Sequence, residues 1–424
     1  MCCTTIRPSH GRSRATTSDQ RNHGAVTDER GEPEEELQLG PRTRWQIGAL
    51  GRFGWRWRAG SAVVVVAAVA IPLIVTSQPR APSAVPHSTP PPPVGVREPL
   101  APRKPTVHRI PPFLLGVHRS WDLFARGNDS VVRIEFARGR VTTTPVPPLE
   151  STGPVSFVVG RRAALVRPLD FVPGFVVPDG MPAQKPPPSL DCGGPAVPGP
   201  RPDTIWVPRC SRTSGVSPRL FLTRFDGSRT GVSAPVPGGN SPIEVLPDGQ
   251  GYLLFLGSVI GTVETFDVRP GRPASTFNRV VAVGPTRWLV QSCNHVGRCH
   301  GDAIVDPTNG KSRRLHIQFA GGSEPGVISP DGRAAALPMP APGAAIVYVD
   351  LATGAFHGLL LRPSSTDDQQ TMAWSPDSKW LFVLSGDGTL YAVDGRTGLV
   401  VEDLTAELHL PPLEQLAIRP APSS

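Results

Sequence analysis

The chain has 424 residues and a formal charge of +8, with 52 prolines and 44 glycines bunched in particular stretches. The basic excess is arginine scattered through strand-like and turn-like segments, with no lysine-rich block. This argues against a nucleic-acid partner, because such proteins gather their charge on one face. The length allows two or three domains, or one large repeat array with tails.

Residues 1–58 read as a disordered cytoplasmic tail. The first forty are polar, lack the apolar periodicity of a core and carry an acidic cluster at Glu32, Glu34, Glu35 and Glu36. Cys2 and Cys3 read as free thiols in this tail. A basic run follows, Arg42, Arg44, Arg52, Arg56 and Arg58, interleaved with Trp45, Trp55 and Trp57. Residues 59–79 carry no charge, and as a helix they would span about 31 Å, close to the thickness of a bilayer core. They are expected to form a transmembrane helix flanked by an interfacial aromatic belt. A cleaved signal peptide is the other reading. Five arginines precede the segment and only Arg80 and Arg97 closely follow it, so the N-terminus is expected in the cytoplasm and the C-terminal bulk outside the cell membrane. Residues 80–112 are a proline-rich linker, including Pro90–Pro93, suited to an extended polyproline II stalk.

Residues 113–424 carry short apolar runs separated by Gly, Pro, Asp and Asn, a pattern of strands and tight turns. Two near-copies stand out. Ile328-Ser329-Pro330-Asp331-Gly332 leads to Ile346–Asp350 and then Thr353-Gly354. Trp374-Ser375-Pro376-Asp377-Ser378 leads to Leu390–Asp394 and then Thr397-Gly398. A weaker copy runs through Pro247, Asp248 and Gly249. In each, proline presets φ, the aspartate side chain bonds nearby amides and the glycine relaxes the exit. A repeat of this length is the mark of four-stranded propeller blades. The spacing gives an all-β, seven-bladed β-propeller, with six to eight blades as the range. Gln415–Pro420 matches the start of a repeat and is suited to completing the first blade and closing the ring. A turn or two of helix fits Glu402–Leu408.

These motifs resemble the TolB-type and YncE-type propellers and, more loosely, WD repeats. The resemblance is best over Val327–Val401. The Trp-Asp dipeptide of true WD repeats is replaced by Tyr348-Val349-Asp350 and Ala392-Val393-Asp394. It implies seven blades and a binding surface on a face of the ring. Propellers host enzymes and scaffolds alike, so the fold leaves function open.

Cys192, Cys210, Cys293 and Cys299 form an even set in a region expected outside the cytoplasm and read as disulfides, paired locally as 192–210 and 293–299. The run Cys293–His300 holds zinc-type ligands, but its spacing is not a usual zinc pattern, so no metal site is assigned. Asp331, Asp377 and Asp387 read as turn residues. No nucleophile elbow or phosphate loop occurs, and no catalytic residue or cofactor is assigned. The expected function is that of a single-pass membrane protein, not an enzyme, displaying an extracytoplasmic propeller that binds a protein, peptide or envelope glycan. Alternatives are a hydrolase or lyase acting on envelope polymers, and a receptor that signals through its cytosolic tail. The Ala-, Gly-, Pro-, Arg- and Val-rich composition points to a bacterial source.

Overall fold

The computed structural model describes residues 103–420 apart from 150–152, 171, 192, 210–218, 237–243, 260–261, 270–274, 278, 294–298, 316–324, 340–345, 360 and 362–369. The expected tail, most of the linker, the membrane segment 59–79, Cys192 and Cys210 lie outside the described residues. Among the described residues no helix is long and apolar enough to cross a membrane.

The described strands form six sheets. Sheet 1 runs Thr106–Arg109, Arg140–Pro145, Ser130–Glu135, Asp122–Arg126 and finally Gln415–Arg419. Sheet 2 has three strands, Val155–Val159, Ala163–Pro168 and Phe175–Pro178. Sheet 3 comprises Val197–Pro198, Thr204–Pro208, Arg219–Arg224 and Arg229–Pro235. Sheet 4 comprises Glu244–Pro247, Leu253–Val259, Thr262–Val268 and Ser275–Phe277. Sheet 5 has eight strands: the meander Arg279–Val283, Trp288–Cys293, Cys299–Val305 and Ser312–Arg314, and a second meander of Gly326–Ile328, Ala334–Pro338, Ile346–Asp350 and Phe356–Leu359. Sheet 6 comprises Met372–Trp374, Trp380–Leu384, Leu390–Asp394 and Val400–Asp403.

The architecture is all-β and propeller-like, and its blade count departs from the expected seven separate blades. Five sheets have four strands or more, and sheet 2 has only three. The fusion within sheet 5 has a local cause. Ala282 and Val283 pair in parallel with Gly326 and Val327, so the innermost strands of two meanders hydrogen-bond to each other. Gly284, next to Val283, permits the approach, since a Cβ there would lie 2.8 Å from the Ile328 Cβ and 3.0 Å from its carbonyl oxygen on the other meander.

The C-terminal strand closes the arrangement as expected. Gln415–Arg419 pairs antiparallel with Asp122–Arg126, joining positions nearly three hundred residues apart. At the outer edge, Thr106–Arg109 pairs with Arg140–Thr143, so the sheet begins within the stretch that composition assigned to the linker. Thr106 and Val107 suit a strand, and no proline interrupts these four residues.

Alternation within each strand sends side chains to two interfaces. In sheet 1, Leu123, Ala125, Val132, Ile134 and Leu416 face sheet 6 and meet Phe382, Leu384 and Leu390. Phe124, Val131 and Ala417 point the other way and meet Val155, Phe157 and Val166 of sheet 2. Similar apolar layers join sheets 2 and 3, 3 and 4, 4 and 5, the halves of sheet 5, and sheets 5 and 6. The expected short helix is present as Leu404–Leu408, capped by Asp403, whose carboxylate accepts from the Ala406 amide at 3.0 Å. Leu404 and Leu408 bury one face of it.

Candidate functional site

The expected turn residues form first hairpins of their strand groups. The Gly332 amide donates to the Ser329 carbonyl at 2.8 Å, and the Ser378 amide to the Ser375 carbonyl at 2.9 Å. The buried serines carry more than the sequence indicated. Ser329 Oγ donates to Asp331 at 2.6 Å and accepts from the Arg333 and Ala334 amides at 3.2 and 3.0 Å. Ser375 Oγ donates to Asp377 at 2.7 Å and accepts from the Trp380 amide at 2.9 Å. Pro330 and Pro376 occupy the second turn position.

The weaker copy is out of step with this alignment. Pro247 is the last residue of a strand, paired with Leu253, and so lies before the turn. Asp248 stands where Ser329 stands: it is fully buried, and its carboxylate accepts from the Gln250 and Tyr252 amides at 2.7 and 2.8 Å. A carboxylate reaches both amides by itself, so no second turn aspartate is needed. Burial raises its pKa above the ordinary carboxylate value against these hydrogen bonds and the Arg269 charge. Gly249 adopts φ +81°, and a Cβ there would approach Gly284 to 2.6 Å, so glycine also lets two sheets come close.

Cys293 and Cys299 are bonded as expected, at opposed positions of one hairpin with Cα atoms 3.9 Å apart. Their thiolates are therefore not available to a metal. Among the described residues no group of three or more His, Cys, Asp or Glu side chains is arranged to hold a metal ion.

None of these turn residues lines the principal cleft. That cleft, about 660 Å³, opens where the Asp122, Glu135 and Arg419 strand ends of sheet 1 meet the first hairpins of sheets 2 and 3. Its floor is built by strand register in sheet 1. Asp122 lies opposite Arg419, Phe124 opposite Arg133, and Glu135 opposite Arg140. Cross-strand neighbours of opposite charge support a sheet, and these are linked into a network. Arg133 reaches Asp122 and Glu135 at 2.9 Å each and Asp179 at 3.2 Å. Arg419 reaches Asp122 at 2.6 Å and Asp179 at 2.9 Å and donates to the Arg161 carbonyl at 3.1 Å. Both guanidiniums lie over the Phe124 ring, at 5.8 and 4.7 Å.

Arg138 and Arg140 complete the partners of Glu135. Burial alone would raise the Glu135 pKa. The Arg140 hydrogen bond and the charges of Arg133, Arg140 and Arg138 outweigh it and hold the carboxyl below its ordinary value. Burial alone would likewise lower the Arg419 pKa, but the carboxylates of Asp179 and Asp122 hold it above its ordinary value. The acids of the floor are thus engaged by structural arginines.

The rim is different. Arg161 and Arg162 form the first hairpin of sheet 2, and Arg201 starts that of sheet 3. All three are exposed, and their side chains make no ion pair among the described residues. A second cleft, about 590 Å³, adjoins the first through Arg201 and continues past Arg224 to Arg269 on sheet 4. Arg269 packs over Tyr252 at 5.2 Å and pairs with Asp267 at 3.0 Å. The sequence reading passed over this arginine set because its members are dispersed along the chain. The adjacent Arg161-Arg162 pair directly after Gly160 was the available signal.

No family model matches the chain, and no curated protein matches it in sequence. Solved structures do. Apo AztD from Citrobacter koseri is 12% identical with a TM-score of 0.42, over 70% of this chain and 98% of that one. TolB from Acinetobacter baumannii is 14% identical with a TM-score of 0.38, over 71% and 83%. An oligogalacturonate lyase in complex with manganese is 12% identical with a TM-score of 0.41, over 70% and 89%. The chain resembles these proteins in strand arrangement, and its propeller-like character is read from its own sheets.

Proposed function

We propose that the protein is a membrane-anchored display module whose extracytoplasmic propeller binds a partner through the cleft between the strand ends of sheet 1 and the first hairpins of sheets 2 and 3. The observation that carries this reading is the division of labour in that cleft. Its inner carboxylates are committed to ion pairs, while the rim arginines are exposed and unpaired among the described residues. Such a surface suits recognition better than proton transfer, because a general acid or base must be free to exchange its proton with a substrate.

The Cys293–Cys299 disulfide supports an oxidising compartment, in keeping with residues 59–79 as an anchor and 80–105 as a stalk. A hydrolase or lyase would need a proton-transfer group gathered at the cleft, and the arginine-bound acids do not favour one.

Two experiments test this. Protease added outside intact cells should remove the C-terminal region and spare the N-terminal tail; protection of the C-terminal region contradicts the topology. Full-length bait, immobilised by its N-terminal tail, should retain a specific envelope component that an Arg161→Ser/Arg162→Ser variant loses. Equal retention by both baits contradicts the cleft as the binding surface.

A further inference from the structure

We infer that the two adjoining clefts form one groove for an extended acidic peptide segment, its Asp or Glu side chains gripped by Arg161, Arg162 and Arg201. This rests on the binding reading above and names the chemistry of the partner.

Three observations lead there. The first is charge. The principal cleft is lined by six arginines, Arg133, Arg138, Arg161, Arg162, Arg201 and Arg419, against four acids, Asp122, Glu135, Asp179 and Asp203. Arg133, Arg138 and Arg419 are consumed by Asp122, Glu135 and Asp179, and Asp203 sits 3.8 Å from Arg224. The surplus therefore falls on the three rim arginines. Planar guanidinium forks match carboxylates in a bidentate manner, which makes arginine clusters suited to acidic motifs.

The second is shape. Arg201 lines both clefts, so the surface runs from sheet 1 to sheet 4 and suits a chain with several anionic groups better than a single small ion. The third is the state of the aromatic rings. Bases in single strands are held by stacking on open aromatic faces. Here Trp121 and Trp206 are each only 1% exposed, and Arg269 covers a face of Tyr252. The grooves offer cations without a stacking platform, which favours a peptide over a nucleic acid.

The test uses the full chain in detergent micelles and fluorescein-labelled octaglutamate as probe, followed by anisotropy at low ionic strength. Wild-type protein should bind, and added salt should weaken binding. The Arg161→Ser/Arg162→Ser/Arg201→Ser variant should lose about tenfold or more in affinity. Its thermal midpoint should be unchanged, because these side chains hold no ion pair among the described residues. A control with the same net charge, Arg314→Ser/Arg333→Ser/Arg396→Ser, alters exposed arginines on sheets 5 and 6 and should bind as wild type does.

Equal losses in both variants would reduce the effect to net charge and overturn the site. Stronger binding of an oligouronate or an oligothymidylate than of octaglutamate would overturn the peptide assignment. No binding of octaglutamate by wild type would overturn the inference, whereas the envelope-capture experiment judges the binding module independently.

Discussion

Sheets 5 and 6 and sheets 1 to 3 solve the same architectural problem by different means. In the later region, neighbouring repeats are latched by recurring short-range devices. The Trp288 indole donates to the Asp248 carbonyl at 2.9 Å, and the Trp374 indole to the Val327 carbonyl at 3.2 Å. The Tyr348 hydroxyl donates to the Gly395 carbonyl at 2.9 Å, and the Asp331 amide to Ser378 Oγ at 3.0 Å. In the earlier region Trp206 of sheet 3 keeps this latch, donating to the Gly251 carbonyl at 2.8 Å, but at the closure Trp121 is buried without a hydrogen bond and packs on Phe136 and Phe382 with ring centroids 5.2 and 5.8 Å away. A charged network that spans the closure of the chain adds there to the apolar layers between sheets. The difference teaches that the regular turns and the two arginine-lined clefts occupy separate parts of the molecule: where the turns depart from the consensus chemistry, arginines occupy the hairpins.

The comparison can be broken most forcefully at Arg419. Arg419→Met removes one of the two arginine partners of the part-buried Asp122 and Asp179, leaving Arg133 as the other, and the loss of these charged hydrogen bonds should cost roughly 2–3 kcal/mol. The thermal and urea midpoints of the full chain should fall accordingly. An unchanged midpoint would mean that strand pairing alone closes the ring.

The disulfide comes next. Its loop is short, the cysteines being six positions apart, so reduction or the Cys293→Ser/Cys299→Ser variant should cost about 2 kcal/mol. The shift should show as a lower thermal midpoint in reductant that the double variant no longer displays.

The tryptophans sharpen the contrast on a smaller scale. Trp288→Phe loses ring volume and orphans the Asp248 carbonyl, whereas Trp121→Phe loses similar volume and removes an unsatisfied donor. Trp288→Phe should therefore be the more destabilising by about 1 kcal/mol or more. Equal losses would remove the distinction between latched and unlatched repeats.

The pH dependence should be the mildest effect. The folded Glu135 pKa lies below its ordinary value, so its contribution is complete above the ordinary carboxylate range and is lost as pH falls through the folded value. Wild type should lose stability on acidification in that window, and Glu135→Gln should give a flatter profile there, starting from a lower stability at neutral pH.

How much was legible in the sequence follows from the range of the interactions. Ser329-Pro330-Asp331-Gly332 and Ser375-Pro376-Asp377 announce themselves because their bonds close within five residues. Strand composition and the C-terminal repeat fragment likewise gave the all-β arrangement and the pairing of Gln415–Arg419. The Pro247-Asp248-Gly249 alignment failed because one buried carboxylate can replace the Ser and Asp of the fuller turn. The fusion of two meanders into sheet 5 depends on close backbone approach at Gly284, which no composition signals. The cleft was invisible for the same reason that makes it a tertiary feature: Asp122 and Arg419 are 297 positions apart and meet only once the ring is closed.

The most direct measurement pairs one variant from each region on the same two readouts, thermal midpoint and capture of an envelope component by the full-length protein. Arg161→Ser/Arg162→Ser should abolish capture and leave the midpoint unchanged. Ser375→Ala should lower the midpoint, since it strips the Trp380 amide of its acceptor, and should leave capture intact below that temperature. Capture that survives the arginine substitutions but fails with Ser375→Ala would contradict the assignment of binding to the cleft at sheets 1 to 3.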